Sequence, residues 1–529
     1  MRGRILTSLL TALAIANLQA QEVALSPKLV IGITIDQLRS DYMEAFSALY
    51  GEKGFKRLLK EGRVYCNAAY DYAVADRASA LASLYSGTNP YNHGIIADRW
   101  MDRNTLQVVQ SVDDKDYMGI YTSECTSPSK LLVSTICDEL KVSTGGKALV
   151  YAIAPFRDAA VFSAGHAADG AFWLNDETGK WSGSTFYPSY PDWASRYNDH
   201  QALDTRIAST TWETMQPPLV YTSYSPLTSQ GFKHTFTDTA TRYRQFKTSG
   251  LVNEEVNRLA KACLHGSAIG LDNVTDFLAI TYYAGNYEHK SDSEYPIEIQ
   301  DTYVRLDHDI EELLAEAEKR VGIGNMLVFV TSTGYTDPAH TDYMKEFRIP
   351  TGEFHMNRCT ALLNMFLMAT YGQGQYVETY NGLQIYFDHK LIEQKQLNLA
   401  EVIAKSAEFL AQFSGVKSVY TAQNLQLNAY TVEAQRMRNA FNAKSSGDII
   451  LTISPGWKLM NTDQMKEHPF NVARDSYMEF PLIFWGFNTK PEIIHTATTV
   501  DRIAPTLAHF MRIRAPNACA AAPLTDIRQ

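Results

Sequence analysis

The sequence predicts an α/β fold: a mainly parallel sheet sandwiched by helices, with cap insertions over the strand ends. Three observations predict it. Short, β-branched apolar runs recur at residues 29–35, 148–153, 277–280 and 326–330, and strands apolar on both faces belong to a sheet covered on both sides. Helical patterns follow several of them, so strand and helix alternate. With 529 residues and 45% hydrophobic content, the chain can bury one large core and carry insertions as well.

Taken in order, residues 1–20 read as a secretory signal peptide. Arg2 and Arg4 precede an apolar run too short to span a bilayer, and Leu-Gln-Ala stands before Gln21. Residues 21–529 are then a single domain, and losing both arginines takes the formal charge from −10 to −12. No basic stripe points to nucleic acid, and no other stretch is long and apolar enough to span a membrane. A periplasmic or secreted location follows, with an unknown protein or ligand as partner. The six cysteines form no CxxC pair and no zinc-spaced cluster; one or two disulfides or buried free thiols fit them equally.

The first strand, Leu-Val-Ile-Gly-Ile-Thr-Ile-Asp, ends on Asp36. Tyr72 to Trp100 then reads as a loop opening into a helix, a Gly-Thr-Asn-Pro turn and His93-Gly94-Ile95, the way an α/β enzyme presents a site at its strand ends. Residues 302–318 form one clear helix, with Val304, Leu306, Ile310, Leu313 and Leu314 on one face, and 325–331 its partner strand. Two segments interrupt the alternation and read as caps: about 167–250, crowded with Trp, Tyr, Ser and Pro, and about 345–445, with helical runs at 359–371 and 391–413. Core packing and substrate binding both remain open for the aromatic segment.

These motifs resemble the alkaline phosphatase superfamily, in the secreted bacterial phosphomonoesterase branch beside the type I phosphodiesterases and nucleotide pyrophosphatases. Ser127-Pro128-Ser129-Lys130, Ala164-Gly165-His166, Asp301 to Asp307 and Ile503-Ala504-Pro505-Thr506-Leu507 follow the family order, so the resemblance covers nearly all of the mature chain. It implies an alkaline phosphatase-like fold and phosphate ester hydrolysis by two zinc ions. Carried over slot by slot, it also implies that this chemistry is gone. The nucleophile slot holds Arg77. Of the metal-ligand slots Asp36 alone is retained, the others holding Asn286, Lys290, Thr333, Gly334 and Glu479. The phosphate-binding slots hold Asp98, Phe156 and Asp158, with Arg157 between the last two.

Losing two zinc ions removes about four positive charges, and unpaired buried anions are costly. Arg77 and Lys290 are therefore expected to pair with Asp36, Asp98 and Glu479 in a site with no metal cofactor. The leading expectation is an exported pseudophosphatase with a binding or assembly role. The alternative is an active phosphomonoesterase or phosphodiesterase holding two zinc ions through relocated ligands, drawn from Glu288, His289, Asp337, His340 and Glu479. His93 and His166 read as structural residues, and Ser79 as a displaced nucleophile only if a base activates it.

Overall fold

The computed structural model describes residues 26–73, 75–221, 231–290, 292–336, 344, 347–427, 429–460, 470–472 and 478–524. The candidate signal peptide, Asp337 and His340 lie outside them.

The central sheet uses β1 (Leu29–Asp36), β2 (Arg63–Ala69), β3 (Gly119–Ile120), β4 (Val150–Ala154), β5 (Gly170–Leu174), β6 (Trp181–Ser184), β7 (Asp276–Tyr283), β8 (Met326–Ser332), β9 (Phe480–Gly486), β10 (Glu492–Ile494) and β11 (Thr498–Thr499). Their order is β10-β2-β9-β8-β1-β7-β4-β5-β6-β3, with β11 also on β2. The five strands from β8 to β5 are parallel. Strand β9 runs antiparallel to both its neighbours, and so does β6. The expected mainly parallel sheet is present, and it is mixed toward its two edges.

Five helices matter for the site: α1 (Arg77–Ser86), α2 (Arg157–Ala164), α3 (Leu251–Gly266), α4 (Pro296–Val321) and α5 (Ile503–Met511). Side chains of β1 alternate between the two faces. Leu29, Ile31, Ile33 and Ile35 enter the core shared with α3 and α4, and Val30 the core shared with α1, α2 and α5. At Gly32 a Cβ would lie 2.7 Å from the Phe329 ring and 3.0 Å from the Tyr85 hydroxyl, so glycine is what lets α1 approach β1. Helix α4 is longer than its apolar pattern, because Pro296 starts it and buried Ile297 and Ile299 extend its inner face.

The aromatic segment begins inside the sheet, since its residues 170–174 and 181–184 are β5 and β6. Its tryptophans are core residues: Trp173, Trp181 and Trp212 are fully buried, with Trp181 donating to Glu255 and Trp212 to Asp301. Around residues 353–459 a second sheet has the order Val377–Asn381, Gln384–Phe387, Ile449–Ile453, Val416–Thr421. Helices Met356–Tyr371 and Leu399–Leu410 close a separate apolar cluster with it. The helical run at 391–413 is broken: Gln396 takes φ 55°, and the Asn398 side chain accepts from the amides of Ala400 and Glu401, restarting the helix. All six cysteines are unpaired thiols. Among the described residues no helix is long and apolar enough to cross a membrane.

Candidate functional site

Strand β1 pairs with β7 on one side and β8 on the other. Asp36 therefore emerges between the segments that follow those strands, with no exposure at all. Helix α1 starts directly opposite. Asp76 caps it by accepting from the Ser79 amide, and Ser79 in turn accepts from the Asp76 amide, a reciprocal cap that fixes the first turn. Gly87 ends the helix at φ 65°. The side chain of Arg77, its first residue, consequently projects into the strand-end cleft, leaving only 20% of it exposed.

The guanidinium closes that cleft. Its Nη1 donates to Asp36 Oδ2 at 3.3 Å, its Nε lies 3.0 Å from both oxygens of Asp158 in the first turn of α2, and the group sits 3.8 Å above the Phe156 ring. On the far side of Asp36, the Thr333 hydroxyl donates to Oδ1 at 2.9 Å while accepting from the Gln37 amide, and Tyr335 also bonds the carboxylate. Burial pushes the Asp36 carboxyl up, with Arg77, Thr333 and Tyr335 pulling the other way. Burial also works against the charge of Arg77, but Asp158, Tyr335 and Asp36 outweigh it and lift its pKa. A cation at the positive end of a helix dipole is unfavourable by itself. The two carboxylates make it tenable.

Not every expected pairing is present. Lys290 lies instead 3.2 Å from Glu288, donates to the Tyr295 hydroxyl and sits over that ring. Segment 286–290 turns back on itself to allow this, with Glu288 and His289 both at positive φ and the Asn286 side-chain Nδ2 donating to the Lys290 carbonyl. Asp98 pairs with neighbouring Arg99 at 3.1 Å, about half exposed. Its amide donates to Asp76, whose carboxyl is pushed up to about 7 by burial and by the nearby Asp98 charge. The Glu479 carbonyl accepts from Ser40. Arg157, between the Phe156 and Asp158 slots, turns away to Asp113 and Gln110. Glu288 also accepts from Gln245. Among the described residues no three His, Cys, Asp or Glu side chains converge as a metal site.

His93, His166 and Ser79 each make hydrogen bonds within the fold. His93 is buried between the Ser83 hydroxyl and the Ile95 amide, and burial pulls its pKa down to about 3. His166 bridges Asp138 and the Leu131 carbonyl. The Ser79 hydroxyl is spent on Asp76. Sequence reasoning missed Tyr70 and Tyr335. Gly334 takes φ 71°, and a Cβ there would stand 2.6 Å from the Tyr70 ring and 2.7 Å from Phe480, while the Tyr70 hydroxyl donates to the Ser332 carbonyl. No local pattern marks a tyrosine at the end of β2 as the neighbour of a loop 260 residues later.

A strand ending in Asp, a capped helix facing it and a mostly parallel sheet accord with the comparisons. Residues 30–478 match the family described as type I phosphodiesterase / nucleotide pyrophosphatase. The chain belongs to that family. Within it, the chain is 29% identical over 521 residues to alkaline phosphatase PafA of Elizabethkingia meningoseptica, covering 95% of this chain and 94% of that protein. It is likewise 29% identical to alkaline phosphatase PhoV of Synechococcus elongatus, covering 95% and 93%. A crystal structure of PafA superposes with a TM-score of 0.84 at 28% identity, over 95% of this chain and 99% of that one. The family placement, and with it the alkaline phosphatase-like fold, agrees with the motif resemblance.

Proposed function

We propose that this chain is an exported pseudophosphatase of the family, one that keeps the fold and has given up two-zinc hydrolysis of phosphate esters for a binding role. The observation that carries this reading is Arg77 bridging Asp36 and Asp158 in the nucleophile's place. A guanidinium held by two carboxylates is no nucleophile. It also occupies the position where a phosphate would meet the helix end.

The residues do not fit two zinc ions. Asp36 offers one carboxylate, already bonded to Arg77, Thr333 and Tyr335. Threonine, asparagine and lysine make a poor donor set for zinc. Position 334 has no room for a histidine between Tyr70 and Phe480. Phosphate recognition fails on the same grounds, because the Arg77 cation is already bonded to Asp36 and Asp158 and is not free to hold a dianion. The relatives carry the name alkaline phosphatase, which supports the ancestry. Export rests on the pattern of residues 1–20.

The test is zinc content of the purified mature protein, measured together with hydrolysis of an aryl phosphate monoester and diester in added zinc. No stoichiometric zinc, and turnover no greater than that of Arg77→Ala, is the expected result. Near two zinc ions per chain with turnover would overturn the reading in favour of an active enzyme with relocated ligands.

A further inference from the structure

Helices α3 and α4 lie side by side against β7, and between them stands a carboxyl group with no counter-ion of its own. Asp309 of α4 is 3% exposed, and its Oδ2 meets no hydrogen-bond partner among the described residues. The donors around it are committed elsewhere. From α3, Lys261 binds Glu312 at 2.7 Å, Arg258 binds Glu254 at 2.5 Å, and Asn257 Nδ2 donates to the Asp309 backbone carbonyl at 3.1 Å. From β7, the Tyr282 hydroxyl donates to Asn257 Oδ1 at 3.3 Å. On α4 itself, Arg305 is held by Asp301 at 2.6 Å and by the Glu213 carbonyl, and His308 turns to Glu312 at 3.5 Å. Arg206, on the far side of Glu254 and Arg258, is bound to Glu255.

The two cations that α3 supplies thus offset Glu254 and Glu312 and leave nothing for Asp309. We propose that Asp309 carries a proton in the folded protein at neutral pH, and that losing it in alkaline medium loosens α3 from α4. The helix pair is then a proton-held lock. An ionised carboxylate here would be buried without a counter-ion and beside two like charges, whereas the neutral acid lacks only a hydrogen bond. Burial first, and the Glu254 and Glu312 charges next, push the Asp309 carboxyl well above the usual carboxylate range, with Arg305 and Lys261 pulling less strongly the other way. The unfolded chain releases this proton near pH 4. Above that pH the native state binds one proton more, so this group makes stability fall as pH rises.

The lock bears on the strand ends. In the first turn of α3, Asn253 accepts from the Tyr283 amide at 2.8 Å and donates to the Tyr283 carbonyl at 2.7 Å. Tyr283 stands opposite Asp36 in the β1 register, and its ring meets that of Phe156, beneath Arg77, edge-on at 5.8 Å. A loosened α3 therefore slackens one wall of the Asp36 cleft, whatever that cleft binds.

The experiment is an infrared difference spectrum of the mature protein at pH 7, wild type minus Asp309→Asn, with thermal melting of both at pH 5 and pH 9. Asparagine keeps the shape and cannot ionise. The difference should contain the carbonyl stretch of a protonated carboxylic acid, and the melting advantage of Asp309→Asn should widen from pH 5 to pH 9. Carboxylate bands alone, or an advantage equal at both pH values, would overturn the proposal. So would calcium or magnesium raising the melting temperature of wild type and not of Asp309→Asn, since a cation would then take the proton's place. Hydrogen exchange on wild type decides even if the variant fails to fold. Corrected for the intrinsic rate, the amides of α3 and of Tyr283 should exchange about tenfold faster at pH 9 than at pH 7, and those of α5 much less so. No acceleration, or an equal one in α5, would also overturn it.

Discussion

At the strand ends, Asp36, Arg77 and Asp158 close on one another above the Phe156 ring. Under the 99–110 hairpin, Arg99 is paired with Asp98 and Asp113 with Arg157, while Leu106 and Val108 stay exposed. The first region has spent its polar groups on itself. The second keeps its charges paired as well, yet presents apolar side chains to solvent. The contrast teaches that a cleft is read best from what its side chains bond, more than from which residue types line it.

The strongest way to break this contrast is to open the closed cleft. Arg77→Ala leaves two buried or nearly buried carboxylates facing each other without a counter-ion, and should cost about 3 kcal/mol in denaturant unfolding. A change under 1 kcal/mol would mean that the cleft is not held by charge. Gly334→Ala should cost about 2–3 kcal/mol, from left-handed strain together with crowding by Tyr70 and Phe480. A neutral outcome would show that the loop has room for the ligand-bearing side chain after all.

A smaller effect is expected with pH. The native protein keeps a proton on Asp76 up to about pH 7, whereas the unfolded chain releases it near pH 4. Native protein therefore binds more protons across that window, and stability falls as pH rises from 4 to 7. Asp76→Asn keeps an acceptor for the cap and should remove about 1–2 kcal/mol of this pH dependence, measured as the difference in unfolding free energy at pH 5 and pH 8. An unchanged slope would place the proton elsewhere. Lys290→Ala should matter least, about 0.5 kcal/mol, because its pair with Glu288 is partly exposed. A loss as large as that of Arg77→Ala would return Lys290 to the Asp36 cleft.

Much of the fold was legible because it depends on local pattern. The burial of β1 on both faces and the amphipathic stripe of α4 follow from residue order alone, and the family motifs set their sequence. The slots that the resemblance assigns could be counted from nearby anchors. What each replacement does could not. Asp158 stands in a phosphate-binding slot of the resemblance, yet in the fold it is the principal partner of Arg77, 81 positions away in sequence. Lys290 looks like a counter-ion for Asp36 until the backbone reversal at Glu288 and His289 turns it toward its own loop. The break at Gln396 was hidden for a similar reason, since an apolar stripe continues across it while the left-handed residue and the Asn398 cap interrupt the helix.

The glycine beside Tyr70 gives this molecule a direction in sequence space. With the ring in place, any side chain at 334 meets an occupied volume and an unfavourable φ before it can reach an ion. Placing a metal-binding side chain at 334 therefore requires at least two coordinated substitutions, because the Tyr70 ring must give way as well. Stepwise selection has no gradient to climb there.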